Sequence, residues 1–242
     1  FIASHDGIGL RPIEEILTEE EIDMLAKNIE GAGGKVSYRT KENSQRPYEL
    51  NIALFDALKL HVKDGDDSYQ EARFISAHTI MLSLEGIPAF YIHSFLATQN
   101  DYEKVKHSGK NRGINRHQWQ MQELEQILLG ENHHSRMFYE LLRLIGIRKR
   151  QRAFHPNATQ FTLDLGNSVL ALWRQSLDRT QSIFSIHNIS NQRIAIQLSD
   201  LNLVETDSWL DLISGTKLER SHGKLMLTPY QSMWITNKSS IM

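Results

Sequence analysis

The sequence predicts a mixed fold: an α/β half up to about residue 155, then an all-β domain of antiparallel strands. Three observations carry this. Helix signals with clear starts and stops are interleaved with short, wholly apolar runs in the first half. After His155-Pro156-Asn157 the texture changes to short alternating runs separated by turn residues. The chain has 242 residues, 40% of them apolar and 23% charged, enough for one large domain or two small ones with their own cores.

Taken in order, Phe1-Ile2-Ala3-Ser4 reads as a short buried strand running into a His5-Asp6-Gly7-Ile8-Gly9 loop. Thr18-Glu19-Glu20-Glu21 is a capping box: the Thr18 hydroxyl can accept from the Glu21 amide while the Glu21 carboxylate reaches back. Ile22, Leu25, Ala26 and Ile29 then mark one helical face, and Gly31, Gly33 and Gly34 stop the helix. Residues 35–47 read as polar and irregular. An ordered apolar stretch begins at Tyr48 and reaches Leu58, and residues 63–68 form a polar turn that caps the next helix.

Tyr69 to Glu85 predicts a helix apolar on nearly all sides, ended by Gly86 and followed by the strand Ile87-Pro88-Ala89-Phe90-Tyr91-Ile92. A helix, a glycine stop and an all-apolar strand are the pattern of an α/β crossover, whose strands lie in parallel sheets covered on both faces. Two such strands do not make a stable parallel sheet, so further strands are expected to be absent from this chain. A polar loop over 97–118 precedes helices near 120–129 and 134–152. The β domain follows, with strands around Phe161–Leu165, Val169–Trp173, Ser182–Ile186, Ile194–Leu198, Leu225–Leu227 and Met233–Ile235.

Composition excludes several function classes. The net charge of −2 gives no electrostatic footprint for nucleic acid. No run of roughly 18 apolar residues spans a membrane, and no charged n-region with a cleavage site marks a secretory signal. The chain has no cysteine, which removes disulfides and thiol chemistry and suits a reducing cytosol. P-loop, dinucleotide, zincin and nucleophile-elbow motifs are absent. His133-His134 are adjacent in a helix, where neighbours point apart, so joint metal ligation is not expected.

Three segments could carry chemistry. His5 and Asp6 sit at the C-terminal end of a predicted strand, the functional edge of parallel α/β folds; Asp6 as a turn cap and His5 as a satisfied buried residue is the plain alternative. Asn111-Arg112-Gly113-Ile114-Asn115-Arg116-His117 is dense in donors suited to carboxylates or phosphates, with a solvated basic loop as the equal alternative for Arg116. Gln45-Arg46-Pro47-Tyr48-Glu49 combines an aromatic ring with charges of both signs.

Together these residues resemble a known family. FIASHDGIGLRP resembles the fourth conserved region of the α-amylase clan of glycoside hydrolases, and more narrowly its sucrose phosphorylase branch. LTEEEIDMLAKNIEGAGGKVS resembles the helical insertion after the seventh barrel strand, PYELNIALFDAL the acceptor-site loop, GIPAFYIHSFLATQND the eighth strand and its loop, and NRGINRH the GRDINRH element of these phosphorylases. The resemblance implies a C-terminal portion of a (β/α)8 TIM barrel over 1–155, carrying strands seven and eight and an insertion at about 13–58, and a C-terminal antiparallel β domain over 156–242.

It also implies a retaining double displacement on an α-glucoside, with phosphate rather than water taking the glucosyl group. Asp6 matches the carboxylate that stabilises the transition state, and His5 and Arg112 match groups that bind glucose. Tyr48 matches an acceptor-loop tyrosine associated with phosphate. The nucleophile and general acid belong to earlier strands and match nothing here, so this chain alone is expected to be inactive. Gly113 and Arg46 each stand where sucrose phosphorylases carry Asp, and Glu49 stands in place of Gln. Arg46 and Glu49 are therefore expected at the substrate, with Arg46 favouring an anionic aglycone such as that of glucosylglycerate over fructose. The expected partners are a small α-glucoside and inorganic phosphate as co-substrate, with no metal or other cofactor, no nucleic acid and no membrane, in the cytoplasm. A hydrolase of the same clan, or a non-catalytic carbohydrate-binding protein, remains as an alternative.

Overall fold

The computed structural model describes residues 1–41, 44–59, 67–201, 209–218 and 223–237. They form two compact units, Phe1–Phe74 with Ala89–Tyr139, and Ile75–Pro88 with Glu140–Met242. Residues 75–88 and 140–155, expected on the barrel side of a boundary near 155, cluster with the β-sheet residues.

In the first unit, β1 (Ile8–Gly9), β2 (Lys35–Lys41) and β3 (Ser44–Asn51) make an antiparallel sheet in the order β1-β3-β2. Helix α1 (Glu19–Gly31) covers it. The capping box forms as the sequence predicts: Glu21 N donates to Thr18 Oγ1 at 3.3 Å and Thr18 N to Glu21 Oε2 at 2.8 Å. Ile22, Ala26 and Ile29 pack with Leu10, Val36, Leu50 and Ile52 into one core. Leu25, expected on the same face, is exposed.

The β2–β3 hairpin corrects the irregular segment expected over 35–47. Its sequence disguises it: Pro47 sits in the central strand, where it has no N–H to give, and the register shifts between Ser37 and Tyr38, the residue opposite it. A bulge absorbs a position that cannot join the ladder. The short helices α2 (Leu54–Ala57), α4 (Ile92–Phe95) and α5 (Tyr102–Ser108) follow, with α6 (Met121–Leu129) next. The polar turn expected at 63–68 lies largely outside the described residues.

The two apolar runs expected as parallel strands also need correction. Phe1–Ala3 and Ile87–Tyr91 form no ladder, and Ile92 opens helix α4 instead. A strand exists through its neighbour's hydrogen bonds, and neither run has a neighbouring strand among the described residues. Phe1 is 78% exposed and Ile87 83%, as apolar strand residues are when uncovered.

The second unit holds the β domain. Strands β4 (Thr159–Asp164), β5 (Val169–Gln175), β6 (Ser182–Asn188), β8 (Leu210–Asp211) and β10 (Ser232–Thr236) form an antiparallel sheet in the order β4-β5-β6-β10-β8. β7 (Ile194–Gln197) pairs with β9 (Lys224–Leu227) as a separate ribbon. Ala171, Phe184, Ile186, Ile196, Leu227 and Ile235 fill the core they share. Every strand expected from the alternating runs is present, and β8 is additional.

The C-terminal turns of α3 (Gln70–Ser83) and most of α7 (His133–Lys149) belong to this unit through buried polar groups. Trp234 Nε1 donates to Ser83 Oγ at 2.8 Å, and the buried His187 ring lies 3.2 Å from Ser83 Oγ and 2.8 Å from Ser232 Oγ. Arg174, wholly buried, donates to the carbonyls of Ser83 (2.9 Å), His155 (3.0 Å) and Ala158 (3.3 Å). The bond to Ser83 satisfies a carbonyl that has no intrahelical partner where α3 ends. Among the described residues, no helix is long and apolar enough to cross a membrane.

Candidate functional site

The site is built on a tight turn. Ser4 and Gly7 exchange backbone hydrogen bonds, Ser4 N to Gly7 O at 2.9 Å and Gly7 N to Ser4 O at 3.0 Å, which puts His5 and Asp6 at the corners. Gly7 has φ +110, and a Cβ there would stand 2.1 Å from the Leu50 carbonyl oxygen. Only glycine lets the turn lie this close to β3. Gly7→Ala is therefore expected to destabilise the first unit by about 1–3 kcal/mol or to displace the turn; chemical denaturation and loss of protection at Gly7 N–H check it.

Two guanidinium groups and the His5 ring converge on one oxygen of Asp6. Arg116 Nη2 lies 2.6 Å from Oδ1, Arg112 Nε 3.3 Å and His5 Nε2 3.3 Å. Among the described residues, no hydrogen bond or ion pair uses Asp6 Oδ2. Arg116 also donates from Nε to the His5 carbonyl at 3.0 Å, so it clamps the turn as well as the carboxylate. Asn115 Nδ2 holds the Ser4 carbonyl at 2.6 Å, and Tyr91 Oη donates to the Asn115 carbonyl at 2.6 Å. Burial pushes the Tyr91 phenol up, against the opposing pull of Arg116.

Behind this layer Glu49 takes Arg112 in a two-pronged pair, Nε to Oε1 at 3.0 Å and Nη2 to Oε2 at 2.7 Å. This hydrogen-bonded pair, reinforced by Asp6, raises the Arg112 guanidinium above its ordinary range. Asn51, two residues further along the strand and so on the same face, donates to Glu49 Oε1 at 2.5 Å and to the Asp6 carbonyl at 2.8 Å. Arg112 and Arg116 both follow α5, which occupies part of the segment expected as a polar loop over 97–118, and residues Asn111–Asn115 form a 3-10 turn. That segment is pinned by Asp101, whose carboxylate accepts from Lys104 N and from the His117 ring, each at 2.8 Å. Burial alone would raise Asp101, but these bonds outweigh it and hold the carboxyl below its usual value.

An open cleft of about 550 Å³ adjoins the cluster, lined by Ser37, Lys104, Ser108, Lys110, Arg112 and Arg116 among others. Its cationic wall suits anions and the hydroxyls of a sugar. Gly113 is buried on this wall, and a Cβ there would meet Ser108 Oγ at 3.0 Å and the Lys104 carbonyl at 3.2 Å.

The structure thus brings together His5, Asp6, Arg112 and Glu49. Tyr48 is half-buried beside them, and its phenol is one of the groups acting on Arg112. Arg46 stands apart: its Nη1 pairs with Glu19 at 2.6 Å in a smaller cleft of about 170 Å³ lined by Glu14, Asp23 and Pro47. The sequence assigns no individual role to Asn51, nor to Asn115 within its donor-dense segment, and it leaves Arg116 between function and a solvated basic loop. The two-residue spacing of Glu49 and Asn51 could have flagged Asn51, once 44–51 is known to be a strand. His133 and His134 do not point apart, since their ring centroids lie 3.9 Å apart: Phe55 stacks on one ring while the Leu96 carbonyl holds the other. Among the described residues, no cluster of three or more His, Asp or Glu is placed to hold a metal ion.

The structure is similar in fold to the sucrose 6F-phosphate phosphorylase from Thermoanaerobacter thermosaccharolyticum, with a TM-score of 0.63 and 23% identity over 76% of this chain and 35% of that one. In sequence it is 35% identical to the glucosylglycerate phosphorylase of Escherichia coli strain K12, over 97% of this chain and 40% of the relative. It is 32% identical to that of Spirochaeta thermophila, over 98% of this chain and 41% of the relative. A sucrose phosphorylase from Streptococcus mutans is 36% identical over 50% of this chain and 24% of its own length. No protein-family model matches the chain. The chain belongs to the sugar phosphorylases of the α-amylase clan, glycoside hydrolase family 13. It spans about 40% of the length of these two glucosylglycerate phosphorylases.

Proposed function

We propose that the whole protein transfers a glucosyl group from an α-glucoside to inorganic phosphate by a retaining double displacement, yielding α-glucose 1-phosphate, and that Asp6 stabilises its transition state. The observation that carries this is the Asp6 cluster, in a chain whose relatives are phosphorylases. As the glycosidic bond breaks, positive charge develops on the sugar ring, and a carboxylate fixed nearby stabilises it more than the ground state. Arg116 and Arg112 orient Asp6 through Oδ1, while Oδ2 accepts no hydrogen bond among the described residues and is left for sugar hydroxyls. Nucleophile and general acid come from barrel strands this chain does not match, so the chain alone is inactive on this account. Phosphate is a co-substrate, no metal or organic cofactor takes part, and the enzyme works in the cytoplasm.

The proposed substrate is glucosylglycerate, and Arg46, although its cleft is separate from the one beside Asp6, is proposed as the residue that selects the aglycone carboxylate. Glu19, the partner of Arg46, is largely exposed, and such surface pairs are worth about 0–1 kcal/mol. An anionic aglycone can therefore displace Glu19 at little expense. Assays of the full-length protein with glucosylglycerate and with sucrose, before and after Arg46→Asp, test this. The expected result is a preference for glucosylglycerate that Arg46→Asp lowers about tenfold or more. Equal or better turnover of sucrose by the unaltered enzyme overturns the assignment.

A further inference from the structure

We infer that Glu49 is a positioning residue that sets Arg112 for the sugar, rather than a group that contacts the aglycone. The inference rests on the phosphorylase reading above and deepens it.

Its carboxylate has little left to offer a substrate. Oε1 accepts from Arg112 Nε at 3.0 Å and from Asn51 Nδ2 at 2.5 Å, and Oε2 accepts from Arg112 Nη2 at 2.7 Å. The residue is 5% exposed. It is fixed in the central strand β3, opposite Gly9 on one side and Ser37 on the other. Arg112 is the opposite kind of group, on a loop and partly open to the cleft. A planar guanidinium gripped at Nε and Nη2 keeps a single orientation. Among the described residues, its Nη1 makes no hydrogen bond, and the residue lines the open cleft, so a donor is left over for a ligand there.

The same strand also sets the Asp6 turn. Asn51 Nδ2 bridges Glu49 Oε1 and the Asp6 carbonyl, and Asn51 Oδ1 accepts from Ser37 Oγ at 2.6 Å. Glu49 thereby couples the two groups placed at the sugar, the Asp6 carboxylate and the Arg112 donor, to one rigid β-strand. An amide at position 49 could keep one of the two bonds to Arg112 and loses the charge that restrains it.

An aglycone contact and a sugar-positioning role give different kinetics. A residue that positions the sugar-binding arginine affects every α-glucoside alike, because all share the glucosyl group; an aglycone contact changes the ratio between substrates. The test uses the full-length protein with Glu49→Gln, Arg112→Lys and the double variant, assayed on glucosylglycerate and sucrose with phosphate. Glu49→Gln is expected to lower kcat/KM about tenfold or more on both substrates, mainly through kcat, with their ratio changed less than twofold. The double variant is expected to be no worse than Arg112→Lys alone, since the two residues act as one unit. A ratio shifted fivefold or more, or effects that multiply in the double variant, overturns the inference.

A readout independent of turnover keeps this distinct from the functional reading. The Arg112 Nε–H proton, observed by nitrogen-15 NMR, is expected to exchange slowly in the unaltered protein and at least tenfold faster in Glu49→Gln. If the enzyme turns over no α-glucoside but this difference holds, the phosphorylase reading fails and the positioning of Arg112 stands. Equal exchange in both proteins overturns the positioning itself.

Discussion

Asp6→Asn in the full-length protein is expected to reduce kcat for phosphorolysis by about 10²–10³-fold, the usual loss when one preorganised electrostatic group is removed from a transition state. The amide has the shape of the carboxylate and can still accept from Arg116 and Arg112 through its oxygen. It lacks the negative charge that opposes the charge building on the sugar ring. The fold should survive, because the turn is held by Ser4, Gly7 and Asn115 through backbone atoms. Steady-state kinetics with a thermal melt on the same sample separate the two effects. A loss below tenfold with an intact melt would mean that the convergence of Arg116, Arg112 and His5 on Asp6 is architectural and not catalytic.

The second large effect is acid destabilisation of the β domain. His187 is buried, no carboxylate pairs with it among the described residues, and burial pushes its pKa down to about 3. An unfolded histidine titrates near 6.5. The folded state therefore keeps the ring neutral while the unfolded state takes a proton below pH 6.5, so the contribution is fully present above that value. It is lost progressively as the pH falls toward about 3. At about 1.4 kcal/mol per pH unit, the domain should lose about 3 kcal/mol between pH 7 and pH 4 from this residue alone. In the first unit His133, pushed down to about 4 by burial and by His134, acts with the same sign. Denaturant unfolding followed by tryptophan fluorescence, with Trp234 buried against Ser83 as reporter, should show this slope and a flatter one in His187→Gln. Identical pH dependence in the two proteins would contradict it.

The β domain was readable because its strands alternate and are separated by Gly, Asn and Ser turns, so periodicity alone locates them. Helix α1 was readable from Thr18 and Glu21, a local signature that needs no tertiary context. The β2–β3 hairpin was not, because Pro47 and its charged neighbours argue against a strand locally and only the bulge and the α1 packing make it one. Phe1–Ala3 and Ile87–Tyr91 are apolar enough for strands, but strand formation depends on neighbours, which a local reading cannot supply. The site followed the same division. His5, Asp6 and Arg112 stood out as chemical groups in compact motifs. Asn51, Asn115 and the clamp made by Arg116 depend on contacts between segments 45 to 111 residues apart. Arg46 illustrates the converse: its charge was legible, but its pairing with Glu19 at the start of α1 depends on how the concealed hairpin packs against that helix.

The most direct test of the central claim is product analysis of the full-length protein given glucosylglycerate, with and without inorganic phosphate. The account predicts α-glucose 1-phosphate, formed with retention and only when phosphate is present, and almost abolished in Asp6→Asn. Free glucose released at the same rate without phosphate would contradict it and make the protein a hydrolase of the same clan.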